Sequence, residues 1–169
     1  MFFCRLICKL ITMTTMKGLI GVKVSRLGIV VWLRLLRFVN HSNSLSNEYL
    51  AKYNLSIAKF DVLNQIFVAG ALTQRELAEK LMITQGGISR MLARLEKDGY
   101  IQRKIDWKTK TITLTDAGEE LMRVVQPKQE AFLSSIFEEA LNKEELKEFS
   151  RLLNKVYKVG LKKEIREEG

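Results

Sequence analysis

Histidine occurs once in this chain, at His41, cysteine twice, at Cys4 and Cys8, and proline once, at Pro127. Three soft or nitrogen donors cannot supply the four ligands of a structural zinc site. A Cys/His nucleophile pair or a catalytic metal fails on the same shortage. The carboxylates fall mostly on solvent-facing helical positions, so no nucleophile, base and orienting group converge and an enzyme is not expected. No cofactor is called for. Long apolar runs are missing as well. The stretch 1–16 is interrupted by Arg5 and Lys9 and the stretch 27–39 by Arg34 and Arg37. Both are shorter than the roughly 20 residues of a bilayer-spanning helix, so no membrane span is expected. There is no internal repeat and no low-complexity linker, and acidic residues are absent from positions 1–47.

What is present is the composition of a folded protein: 169 residues, 47% hydrophobic and 28% charged. That is enough for one domain with its own core plus additional helices. Lys and Arg exceed Asp and Glu by 28 to 19, a net charge of +9, which makes an anionic partner the first idea to test. The excess is uneven: residues 1–47 carry 7 basic and 0 acidic side chains, 48–72 carry 2 and 2, 73–115 carry 9 and 5, and 116–169 carry 10 and 12.

Residues 1–16 lack a small-residue cleavage site. They are expected to belong to an extension, 1–21, that is not part of the fold, an upstream start choice being consistent with Met13 and Met16 as possible alternative starts. A weak membrane-surface anchor and a redox pair of Cys4 and Cys8, one helical turn apart, are the alternatives. The run "LGIVVWLRLLRFV" at 27–39 is apolar nearly all round and predicts a helix buried on several sides.

Asn54 tolerates a left-handed turn and Ser56 is a helix N-cap. Ile57, Phe60, Leu63 and Phe67 follow at helical spacing. Thr73 and Glu76 form a capping box, in which each side chain satisfies a free N–H of the first turn. Leu77, Ala78 and Leu81 stripe that helix, and Met82–Ile83 leave only a tight connection before a second N-cap, Thr84. Two short helices so joined outline a helix-turn-helix. After Gly99, a C-cap position, the period changes to two. "IQRKI" at 101–105 and "KTITL" at 110–114, separated by "DWKT", predict a hairpin with a short basic tip. Thr115 caps a helix carrying Leu121, Val124, Val125, Ala131, Phe132, Ile136 and Phe137. Pro127 deletes one rung, and a kink is expected there. Asn142 and Glu145 form a second capping box, opening a helix with Leu146, Phe149, Leu152, Leu153, Val156 and Tyr157 on one stripe.

On the helix after Thr84, Ile88, Met91, Leu92 and Leu95 cluster within roughly 100°. Gly86, Arg90, Ala93, Arg94 and Lys97 lie opposite. Glycine costs about 1 kcal/mol against alanine inside a helix, but in the first turn the N–H has no intrahelical partner to lose. Gly86 and Gly87 therefore predict clearance, letting the backbone approach phosphate or base edges. An ordinary solvated face explains such cations on a lone helix. The neighbours change that weighting: a helix, a tight turn, a helix with Arg90 and Arg94 outward and a hairpin with Lys104, Lys108 and Lys110 make a winged helix-turn-helix.

The segments "LTQRELAEKLMITQGGISRMLARLEKDGYIQRK" at 72–104 and "DWKTKTITLTDAG" at 106–118 resemble the MarR family of bacterial transcription regulators. "YNLSIAKFDVL" at 53–63 resembles the family's second helix, and the likeness runs from about Val22 to Lys158. It implies a mainly α fold with a small β-hairpin wing, and a homodimer intertwined through the first and last two helices. The expected divisions are an extension 1–21, a dimerisation helix 22–53, a winged helix-turn-helix 54–115 and dimerisation helices 116–169. Carried over by position, Thr84, Gln85, Gly86, Gly87, Ser89, Arg90 and Arg94 would face the groove of a palindromic double-stranded operator. Lys104, Lys108 and Lys110 would reach phosphate or the minor groove from the wing.

Three departures from the family pattern stand out. Glycine is usual where Met82 stands, so this turn holds a left-handed methionine or takes another path. Arginine is common where Lys108 sits, and lysine does not reproduce a planar two-bond contact. The wing is also short. The resemblance further implies a small-molecule effector, for which Trp32, His41 and Phe60 are weak candidates against plain core and interface packing. With no cysteine beyond Cys8, the peroxide-sensing branch is not expected. The resulting reading is a cytoplasmic, ligand-responsive, sequence-specific repressor, the alternative being a winged-helix module that binds only protein.

Overall fold

The computed structural model describes residues 25–106 and 109–162. Helix α1 spans Arg26–Leu50 and is followed by a 3-10 turn, Ala51–Tyr53, and α2, Ile57–Ala69. Strand β1 (Leu72–Thr73) leads into α3 (Gln74–Leu81), α4 (Gln85–Lys97) and a hairpin of β2 (Ile101–Asp106) and β3 (Thr109–Leu114). Two long helices close the chain, α5 at Asp116–Ala140 and α6 at Lys143–Lys162. The chain divides into two compact units, Met1–Val39 and Asn40–Gly169.

Within the second unit, one core gathers Leu50 and Leu55, Phe60, Val62, Leu63 and Ile66 of α2, Leu77 of α3, and Ile88, Leu92 and Leu95 of α4. The sheet adds Leu72, Ile101, Ile112 and Leu114, and α5 adds Met122 and Val125. The predicted caps close the helices: Ser56 accepts from Lys59 N, Thr84 from Gly87 N and Thr115 from Gly118 N. Around α3, Thr73 and Glu76 bond reciprocally. The Thr73 backbone and side-chain donors hold the Glu76 carboxyl below the usual carboxylate range.

Strand β1 was not legible in sequence, because two residues are too few to alternate. It pairs antiparallel with β3, Leu72 opposite Ile112 and Thr73 opposite Thr111, so the order is β1-β3-β2. The wing is thereby stitched to the entrance of α3. Helix α5 runs unbroken through Pro127.

Two connections hold the helix-turn-helix in register. After α3, Met82 adopts φ 53°, ψ 41°, while its N–H bonds Glu79 O and that of Ile83 bonds Ala78 O. The left-handed alternative is the one taken. An L side chain in this region costs about 1–2 kcal/mol, part of which glycine returns as unfolded-state entropy. Met82 is 66% exposed, so little packing is lost on truncation. Met82→Gly is expected to stabilise the protein by about 1 kcal/mol, roughly 2–4 °C in Tm. A thermal melt in which the variant unfolds no higher than wild type would refute this.

After α4, Gly99 takes φ 80° and the same double closure recurs, Gly99 N to Glu96 O and Tyr100 N to Leu95 O. The Thr115 hydroxyl donates to Gly99 O at 2.6 Å and accepts from Gly118 N at 3.1 Å, while Thr115 N donates to Tyr100 O. The end of α4 and the start of α5 thus share one small knot of backbone.

One expectation needs correction. Residues 27–39 were expected to be buried on several sides, yet Leu27 is 70% and Trp32 65% exposed, and Val31 and Val39 are exposed too. The stripe of α6 is likewise open at Leu152, Leu153, Val156 and Tyr157. One chain folded on itself leaves both surfaces to solvent. Pattern reading also missed the buried polar seam of Ser42, Ser46 and Gln129, where Gln129 Nε2 donates to Ser46 Oγ at 2.6 Å. Serine and glutamine are ordinarily surface residues, so their spacing carried no signal.

Candidate nucleic-acid interface

Helix α4 presents opposite properties on its two sides. Ile88, Leu92 and Leu95 are fully buried, which fixes the rotation of the helix. Gln85, Gly86, Arg90 and Arg94 then stand exposed, with Gly87 and Ser89 half-buried beside them. At the amino end Thr84 Oγ1 takes up the Gly87 N–H at 3.1 Å and Ile88 N bonds Thr84 O. The Gln85 and Gly86 amides remain as the first-turn donors that no preceding turn can reach, a disposition suited to an anion.

A β-carbon built on Gly86 meets nothing within 4 Å, whereas one on Gly87 comes to 3.2 Å from Thr84 Oγ1. Internal packing therefore does not require glycine at 86.

Four arginines outside α4 are neutralised locally. Arg75 pairs with Glu79, Arg103 with Glu96, Arg123 with Glu119 and Arg151 with Glu148. Among the described residues Arg90 and Arg94 form no such ion pair. With Gly87 and Met91 they line a cleft of about 300 Å³ whose other wall is Ser56, Ala58 and Lys59 at the start of α2. Lys59 closes that wall through a 2.7 Å ion pair to Asp98 at the end of α4. Their side chains are 25% and 35% exposed, a partly sheltered site where a pair is less screened than at the open surface.

The wing divides the lysines. Side chains alternate along a strand, and Lys104 lies opposite Thr111 while Lys110 lies opposite Ile105. The two lysines therefore project from opposite faces of the hairpin, and both are exposed. Lys108 lies outside the described residues. Arg103, not singled out from the sequence, shares a face with Ile112 and bonds Glu96 at 3.2 Å, bracing β2 against α4. Its signal was present as a basic residue two strand positions from Ile101 and so on the same face, but which acid it meets depends on the fold.

The three effector candidates differ in their surroundings. Phe60 is 4% exposed in the core and His41 is exposed on α1, while Trp32 is exposed in the amino-terminal unit. No cluster of three or more metal-ligating side chains occurs among the described residues, and no described helix is long and apolar enough to cross a membrane.

The family model described as MarR matches residues 55–107. A helix-turn-helix transcriptional regulator of Bacillus cereus, itself uncharacterised, is 56% identical over 142 residues, 84% of this chain and 97% of that one. AbsC of Streptomyces coelicolor, a MarR family transcriptional regulator, superimposes with a TM-score of 0.75 over 85% of this chain and 100% of its own, at 20% identity. A mutant MarR of Escherichia coli complexed with operator DNA superimposes with a TM-score of 0.62 over 79% of this chain and 99% of its own, at 29% identity.

Proposed function

Because this chain belongs to the MarR family, we propose that it is a homodimeric regulator of transcription that binds a palindromic site in duplex DNA through α4 and the β2–β3 wing. The observation that carries the reading is the pair Arg90 and Arg94, left without acidic partners among the described residues on a helix face kept clear by Gly86. Uncompensated guanidinium groups along a helix whose first-turn amides are also open match what guanine edges and phosphate offer. A major groove about 12 Å wide admits one such helix.

The division of labour follows from burial. Residues 54–115 hold the DNA-binding surface in this reading, 22–53 and 116–169 the dimer helices, and the apolar residues left open on α1, α5 and α6 are assigned to a second copy. A two-fold dimer places two α4 helices about one helical turn of DNA apart, which makes the site a palindrome. Repression, a response to a small ligand, a cytoplasmic setting and the lack of catalysis complete the proposal. A module that binds only protein would not need Arg90 and Arg94 bare.

Titration of duplexes from the region upstream of its own gene tests this, at several salt concentrations. Binding is expected to weaken linearly in log–log form, with a slope of about −0.9 per phosphate neutralised. No salt-dependent shift near physiological ionic strength would refute the reading.

A further inference from the structure

Outside the cleft and the arginines, one polar contact joins the amino ends of the two helix-turn-helix helices. Gln74 opens α3 and Gln85 opens α4, eleven positions on. The Gln74 Nε2 group lies 3.5 Å from the Gln85 backbone carbonyl and 3.5 Å from Gln85 Oε1. An amide nitrogen carries two hydrogens, so both contacts can be made together. The platform is firm, because Thr73 immediately before Gln74 is locked by its capping box. Gln85 itself is exposed in the first turn of the helix that carries Arg90.

A free exposed glutamine samples many rotamers, and fixing one costs up to about 2 kcal/mol. With Oε1 engaged by Gln74, the Gln85 amide is restrained in advance. Its Nε2 hydrogens remain as donors, and the second lone pair of Oε1 remains as an acceptor. A donor and an acceptor side by side match the adenine edge in the major groove, N7 accepting and the N6 amino group donating.

Resting on the DNA-binding reading above, we propose that Gln74 is a positioning residue that orients the Gln85 amide to read an A·T base pair once in each half-site. Gln74 need not touch the base. Its effect is on which base is preferred, whereas a phosphate contact would weaken all sequences alike.

The test selects bound sites from random duplex DNA with the wild-type protein. Affinities are then measured for the selected site and for its three base-pair replacements at each half-site position, with wild type, Gln85→Ala and Gln74→Met. Methionine keeps the length of the side chain and the helix while removing the amide, and a thermal melt checks folding. Gln74→Ala serves as a second variant.

Wild type is expected to favour A·T at one position per half-site by about tenfold or more, the range of a good bidentate contact. Gln85→Ala should abolish that preference, and Gln74→Met should cut it several-fold at the same position with the other positions unchanged. A Gln74→Met profile identical to wild type, or a uniform loss across all sequences, overturns the inference while the DNA-binding reading stands. If wild type selects no motif at all, sequence reading itself falls and this inference with it.

Discussion

Gly118→Ala is expected to destabilise the protein by about 3 kcal/mol, at the upper end of what overpacking usually costs. A β-carbon at 118 would lie well inside contact distance of the Tyr100 carbonyl oxygen and 3.0 Å from its carbonyl carbon. The obstacle is backbone, with no flexible side chain to swing away. It is also engaged, since Tyr100 O accepts from Thr115 N and the Tyr100 N–H closes α4. Moving it would loosen the Thr115 hydroxyl from Gly99 O and the cap on Gly118 N. Alanine's better helix propensity returns at most about 1 kcal/mol. Chemical denaturation should show a lower midpoint. Gly86→Ala is the control, since its β-carbon meets open space, and it should match or exceed wild-type stability. Equal midpoints for Gly118→Ala and wild type would mean that α5 shifts freely away from Tyr100.

Arg90→Ala is expected to cost about 1–3 kcal/mol in DNA binding, roughly 5- to 150-fold, with relaxed preference at one position if the guanidinium reads a base. Because Arg90 forms no ion pair among the described residues, its removal should leave the melting temperature nearly unchanged. A uniform loss across sequences, with the salt slope shallower by about 1, would place Arg90 on phosphate. Unchanged affinity would remove it from the interface. Gly86→Val adds bulk at the same edge without an internal clash, so it should weaken DNA binding while stability holds. Gly87→Val is the less clean probe, because its β-carbon crowds the Thr84 cap at 3.2 Å. If Gly86→Val binds DNA as wild type does, the clearance reading fails.

The local elements were legible because their signals are local. Ser56, Thr73, Thr84 and Thr115 each cap within three residues. The buried stripe of α4 follows from a spacing of 3.6, and the hairpin from a change of period to two. The direction in which Arg90 faces was also recoverable, since burying Ile88, Leu92 and Leu95 leaves only one side of the helix outward. Strand β1, the Gln129–Ser46 bond, the Arg103–Glu96 brace and the Gln74–Gln85 contact were not. Each joins residues whose partner is chosen by the path of the chain between them.

Sequence alone thus determined the order of elements, their caps and the cationic face of α4, because those depend on neighbours within a turn or two. Tertiary structure decided the rest. It set Met82 left-handed between α3 and α4, split Lys104 and Lys110 across the hairpin, and laid the first turn of α5 against Tyr100, where only glycine fits. It also left the apolar residues of α1 uncovered, where an all-round apolar run predicted burial, and the apolar stripe of α6 open. Periodicity records that a face avoids water, but whether the same chain or a second one covers it depends on where the folded chain places its other surfaces.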